Sequence, residues 1–237
     1  MTGSPSVAEL ATAVGAVRPV FQPVLWLDDL TVTGYEALAR GPIGSPLALP
    51  LDLFAAAKAH GVVTDLEGAM TAATLTEVMD RPWDDSVTLF ANLEPEAALA
   101  PPPAHAERTL DAAVAAGVRV IIEITERALL ANPASLITAA ATIRSRGWGV
   151  AMDDVGADDE TLTLLWVLQP EVVKLDMSIL HHPFDARAAY VSATVREYCD
   201  RAGALMVCEG VETIEHETRA DILRYSDRIV DRPPLGL

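Results

Sequence analysis

Short apolar runs recur along the chain, each the length of one strand, and amphipathic stretches long enough for helices separate them. The runs fall at residues 20–25, 31–37, 87–91, 118–124, 147–154, 172–176 and 205–208. The first two flank Asp28-Asp29 and read as a hairpin. Between the later runs the pattern turns helical over 51–61, 65–79, 105–116, 135–146, 162–168, 186–201 and 215–224. Leu66, Met70 and Ala73 show the three- and four-residue spacing, and Tyr190, Val191, Val195, Tyr198 and Cys199 form a second stripe. A further strand is expected at Ile229-Val230. Uniformly apolar strands alternating with helices predict an α/β fold, a closed TIM-type (β/α)8 barrel around a buried parallel sheet. Residues 1–17 open on Gly3, Ser4 and Pro5 and then turn helical, an N-terminal linker or leading helix before a barrel domain at 18–237.

Composition narrows what such a barrel binds. Aromatic residues make up only 5% of the chain, so Ala, Val, Leu and Ile must build the core. Seventeen Lys and Arg against 34 Asp and Glu leave a net charge of −17. A field of that sign disfavours DNA or RNA duplexes and anionic membrane surfaces, and an anionic substrate would need metal ions or a local basic residue. No apolar run approaches the ~18 residues of a membrane span. The start of the chain lacks a signal-peptide pattern. Cys199 and Cys208 are too few for a disulfide framework or a zinc cluster, and the expected compartment is the cytoplasm. The five histidines read as surface or packing residues.

The candidate chemistry stands at the strand ends. The run from Gly147 stops at Asp153-Asp154, two adjacent carboxylates that repel unless a cation lies between them. Taken alone, such a pair more often just opens a turn, but other runs end alike: Glu36, Asn92, Glu123, Lys174 with Asp176, and Glu209 with Glu212. In a barrel these ends share one face. Carboxylates and a carboxamide there form a hard-oxygen site for Mg²⁺ or Mn²⁺, and two ions bridged by one carboxylate would clamp a phosphodiester and activate water. Lys174 would hold that water or stabilise developing charge. Asp28, Asp29, Asp84, Asp85, Asp159 and Glu160 read as solvated surface charges.

These residues also carry a family resemblance. Phe21-Gln22-Pro23, Tyr35-Glu36-Ala37-Leu38-Ala39-Arg40, Asn92, Glu123-Ile124-Thr125-Glu126, Asp153-Asp154-Val155-Gly156, Lys174-Leu175-Asp176 and Glu209-Gly210-Val211-Glu212-Thr213 resemble, in order, the motifs of EAL-domain cyclic-di-GMP phosphodiesterases. The resemblance implies a barrel whose first strand is antiparallel to the rest, and a bacterial second-messenger enzyme that hydrolyses cyclic di-GMP to pGpG with two Mg²⁺ or Mn²⁺ ions. It implies that Glu36, Asn92, Glu123 and Asp153 bind one ion and that Asp153, Asp154 and Glu209 bind the other. Lys174 would position the water, and Glu212 would support the metal shell or the substrate. Arg40 would contact a phosphate, Gln22 would lie beside the nucleotide with Asp176 and Asp231 on the substrate side, and Glu126 would anchor the loop after Asp154. No single general base is assigned.

Two segments depart from the family pattern. Asp158 stands where the family's loop after Asp154 normally has a second glycine, in a loop that the resemblance implies couples substrate and metal binding to dimerisation, and Asp tolerates glycine's backbone angles less readily. Asp231-Arg232-Pro233 aligns with a terminal Gln-Gly-Tyr, so a carboxylate replaces a neutral amide. Slow but real hydrolysis is the expectation. The alternatives are a catalytically silent cyclic-di-GMP receptor or protein-interaction module, and a different Mg²⁺-dependent barrel enzyme. A homodimer is a further, weaker expectation, resting on any exposed remainder of the 190–199 stripe.

Overall fold

The computed structural model describes residues 6–12, 15–81, 87–98, 100–125, 132–157, 162–182, 185–211 and 216. The chain divides into two compact units, Met1–Leu25 with Val32–Val120, and Trp26–Thr31 with Ile121–Leu237.

In the first unit the elements are α1 (Val7–Thr12), β1 (Arg18–Leu25), β2 (Val32–Arg40), α2 (Pro50–His60), α3 (Val63–Met79), β3 (Thr88–Asn92), α4 (Pro95–Ala98) and α5 (Ala104–Ala115). β1 pairs antiparallel with β2, and β2 pairs parallel with β3. Proline at the start of α2 and Gly61 in the left-handed region at its end mark a helix that its sequence punctuates at both termini. α1 begins with a capping box. Ser6 N–H donates to Glu9 Oε2 at 2.7 Å, and the Glu9 N–H reaches Ser6 Oγ at 3.4 Å. That backbone bond, with the Ser6 hydroxyl, holds the Glu9 carboxyl below its usual range. Val7, Leu10 and Ala11 of this short helix are buried in one cluster with Val17, Leu53, Ala57, Val63, Leu66 and Met70.

β2 runs to Arg40, three residues beyond the expected end. The ladder explains the extension, because β1 begins at Arg18 and keeps its partner extended as far as the Arg18–Arg40 pair. Glu36 therefore sits inside the strand.

The second unit holds β4 (Arg119–Thr125, of which residues 121–125 belong here), α6 (Pro133–Ser145), β5 (Gly149–Val155), α7 (Leu164–Leu168), β6 (Val172–Leu175), α8 (Met177–His181), α9 (Ala186–Ala202) and β7 (Leu205–Cys208). β4, β5, β6 and β7 pair in that order, all parallel. Val150, Ala151, Met152, Val172, Val173 and Leu175 are fully buried, the pattern of a parallel sheet covered on both faces. At the start of β5 and β6, Glu171 takes Arg144 in a two-pronged pair (2.8 and 3.1 Å) and accepts from Val150 N–H. Tyr198 donates to Pro170 O at 2.8 Å and so ties α9 to the same edge.

On α9 the buried face comprises Ala188, Val191, Ser192, Val195, Tyr198 and Cys199. Tyr190, expected on that stripe, is 65% exposed. One residue is ~100° of helix rotation, which carries position 190 off a face centred on 191, 195 and 198. The expected last helix at 215–224 and strand at Ile229-Val230 lie outside the described residues, save His216, which is helical. Among the described residues no helix is long and apolar enough to cross a membrane.

Candidate active site

Pairing register decides which side chains share a face. In the second unit Thr125 lies opposite Asp153, Ala151 opposite Val172, and Lys174 opposite Val207. Directly paired residues of parallel strands point the same way, and alternate residues of one strand do too. Following that parity, Glu123, Asp153, Lys174 and Glu209 all fall on one face, at the C-terminal ends of β4, β5, β6 and β7.

The side chains meet as the register requires. Lys174 Nζ lies 2.8 Å from Glu123 Oε1, 3.1 Å from Asp153 Oδ1 and 2.8 Å from Glu209 Oε1. The lysine and Glu123 side chains are almost wholly buried, at 4% and 0% exposure, whereas Glu209 keeps 29%. The cluster is thus closed on the Glu123 side and open on the Glu209 side. Asp153, Asp154 and Glu209 can each turn one carboxylate oxygen to within 4.8 Å of the others.

Asp154 owes its place to an unusual backbone. Its φ is +57, in the left-handed region that costs most residues about 1–3 kcal/mol. The next turn is held from both sides. Ala157 N–H bonds Asp154 O at 3.1 Å, and Arg187 of α9 donates to Gly156 O at 2.6 Å. Gly156 has φ +102, and a Cβ there would meet Ile179 and Val191 at 3.0 Å. Only glycine fits this bend.

The donor set suits a divalent cation. Glu123, Asp153, Asp154 and Glu209 bring four carboxylates against the single lysine, a local charge of −3. Two like charges ~4–5 Å apart cost about 3–4 kcal/mol at an effective dielectric of about 20. Hard carboxylate oxygens favour Mg²⁺, Mn²⁺ or Ca²⁺ over zinc.

The first unit carries a smaller group of expected residues. Gln22 pairs opposite Glu36 across the β1–β2 ladder, and Glu36 pairs opposite Phe90 of β3. Asn92, two residues beyond Phe90, falls on the same face and donates from Nδ2 to Glu36 Oε1 at 3.2 Å. Arg40 shares the parity of Glu36 at the end of β2, and its Nη1 donates to Ala39 O at 2.8 Å. The turn after Asn92 is fastened by groups the sequence reading did not single out. Glu67 of α3 accepts from Glu94 N–H at 2.9 Å, and Lys58 pairs with Glu94 at 2.7 Å. The signal was present, since Glu67 interrupts an apolar helix face between Leu66 and Met70.

Asp176 caps α8, its Oδ1 accepting from Ser178 N–H at 2.9 Å. Glu126, Asp158, Glu212 and Asp231, also expected to bear on the site, lie outside the described residues.

The family model described as EAL domain matches residues 8–223. The chain is 34% identical over 101 residues to the cyclic di-GMP phosphodiesterase RocR of Pseudomonas aeruginosa, a match covering 42% of this chain and 26% of that protein. Among solved structures, Klebsiella pneumoniae BlrP1 in a calcium and cyclic di-GMP complex is 25% identical with a TM-score of 0.76. The match covers 94% of this chain and 55% of that one. The EAL domain of Xanthomonas citri FimX in complex with cyclic di-GMP, at 20% identity and a TM-score of 0.75, shares the fold over 92% of this chain and 86% of that one. Matches to the curated relatives span only 24% to 28% of those proteins' length. With β1 antiparallel to β2, the other described pairings parallel, and a match over residues 8–223, the chain belongs to the EAL-domain family and has its TIM-type α/β fold.

Proposed function

We propose that the chain is a metal-dependent phosphodiesterase that hydrolyses cyclic di-GMP to linear pGpG. The observation that carries this reading is Lys174, buried within 3.1 Å of Glu123, Asp153 and Glu209. Desolvating an ammonium and its carboxylates costs several kcal/mol per ion, and an apolar cluster would serve stability as well. Such a set is explained by chemistry better than by folding.

By the family resemblance, Glu36, Asn92, Glu123 and Asp153 would hold one Mg²⁺ or Mn²⁺. Asp153, Asp154 and Glu209 would hold a second, the resemblance making Asp153 common to both sets and Glu212 a supporting residue. Two such ions would supply polarisation of the phosphodiester and a lowered pKa for a water near neutral pH. Glu123 and Asp153 keep the Lys174 ammonium oriented, so that its N–H groups hold the attacking oxygen and oppose charge growing on the phosphate. Gln22, Arg40, Asp176 and Asp231 take the nucleotide side, Arg40 on a phosphate, and Glu126 anchors the loop after Asp154. A soluble cytoplasmic setting and a homodimer complete the proposal.

A second reading has its own support. Asp158 and Asp231 stand where the family pattern has a glycine and a glutamine, which favours a receptor that binds cyclic di-GMP without turnover. Product formed by the wild type separates the two, and Glu36→Ala and Asp153→Ala, assayed for product and for nucleotide binding, test the site assignment. Loss of hydrolysis in both variants is the expected outcome, and full activity in either would overturn the site assignment.

A further inference from the structure

α8 joins the strand end that carries Lys174 to the turn that carries Glu209. It begins directly after β6, capped by Asp176, and its last residue, His181, lies against Gly210. His181 Nε2 is 3.0 Å from Gly210 O. A carbonyl oxygen only accepts, so Nε2 carries the hydrogen and donates. The same ring stacks on His216, with centroids 4.3 Å apart and planes inclined by 25°. Gly210 itself has φ +69, and a Cβ there would come within 2.6 Å of Met177 Cβ and 3.3 Å of His181 Nε2. Residue 210 is therefore fitted to α8 at both its Cα and its carbonyl, one peptide beyond Glu209.

We propose that His181 is a positioning residue for the metal centre, holding the Gly210 carbonyl so that the Glu209 carboxylate stays in reach of Asp153, Asp154 and Lys174. The inference rests on the metal-dependent reading given above. Glu209 is the most exposed carboxylate paired with Lys174, at 29%, and β7 ends one residue before it. Its own N–H is held by Leu175 O at 3.2 Å, so the turn that follows is the other side from which its aim is fixed. Outer groups that orient metal-binding side chains are typically worth about 10–100-fold in affinity or activity.

The test uses two variants of the whole chain. His181→Phe keeps a ring to stack on His216 but removes the donor, and His181→Gln offers a donor of similar reach. Mn²⁺ binding is measured by calorimetry, and amide hydrogen exchange at residues 209–211 reports on the turn with or without metal. His181→Phe is expected to bind Mn²⁺ about tenfold more weakly and to exchange faster at 209–211. His181→Gln should recover most of both, at an unchanged melting temperature in the two variants. Wild-type Mn²⁺ affinity and exchange in His181→Phe would overturn the proposal, as would equal losses in both variants alongside a lowered melting temperature. Failure of the wild type itself to bind Mn²⁺ would count against the metal-dependent reading, and the exchange at 209–211 would still decide whether His181 holds the turn.

Discussion

Lys174 is the residue whose removal says most about the site. In Lys174→Met the volume is nearly kept while the cation is lost, leaving Glu123 buried without its 2.8 Å partner. Breaking such a pair from one side costs about 3–5 kcal/mol, read by urea unfolding of the metal-free protein. Hydrolysis of cyclic di-GMP should fall by about 10²–10³-fold. Added Mn²⁺ should restore much of the stability, because a bound cation supplies the missing charge, but not the activity. A variant as active as the wild type would remove Lys174 from the chemistry.

Cys199 gives a pH prediction of fixed sign. Burial first, and Asp200 second, push its thiol from 9.0 up to about 12. Below pH 9 the thiol is neutral in both folded and unfolded chains and contributes nothing to the pH dependence. Between pH 9 and about 12 only the unfolded chain ionises there, so stability falls as pH rises. Denaturant unfolding at pH 8 and pH 11 should show a smaller drop for Cys199→Ala than for the wild type. Equal drops would show that this thiol does not couple to folding. At this scale the placement of Glu123, Asp153, Lys174 and Glu209 at or just past strand ends was legible in the sequence, because apolar runs ending in polar residues mark such ends. Arg187, Glu67 and His181 were not, because each acts on a backbone group distant in sequence, at Gly156, Glu94 and Gly210.

Among the elements, α1 is the one whose importance exceeds its length. Six residues place Val7, Leu10 and Ala11 at 3% exposure or less. Leu10→Ala should cost about 2–5 kcal/mol in urea unfolding, the range for a buried leucine truncated inside a packed core. A change below about 0.5 kcal/mol would mean that α1 is dispensable to the first unit. From sequence, residues 1–17 read as a linker or a leading helix, because a six-residue apolar stretch carries too few turns for its periodicity to stand out. The Ser6–Glu9 capping box was the stronger signal. The long strands and helices were read to within a few residues, since their periodicity repeats. The end of β2 was misjudged because antiparallel pairing with β1, a non-local interaction, keeps residues 38–40 extended. Tyr190 was placed on the buried stripe because adjacent apolar residues 190 and 191 blur the helical phase.

Across the whole molecule, charge and chemistry point the same way. A chain of net charge −17 repels a dianionic nucleotide, so binding one calls for cations at the point of contact. The described carboxylates of β5 and the turn after β7 offer a place for them. Family membership was legible because its motifs lie in order along nearly the whole chain. The most direct measurement is incubation of the protein with cyclic di-GMP and Mg²⁺ or Mn²⁺, with nucleotides separated by chromatography and EDTA as the control. The account predicts pGpG that accumulates with metal and stops with EDTA. Cyclic di-GMP that binds but stays intact under the same conditions would contradict it and leave the chain a receptor.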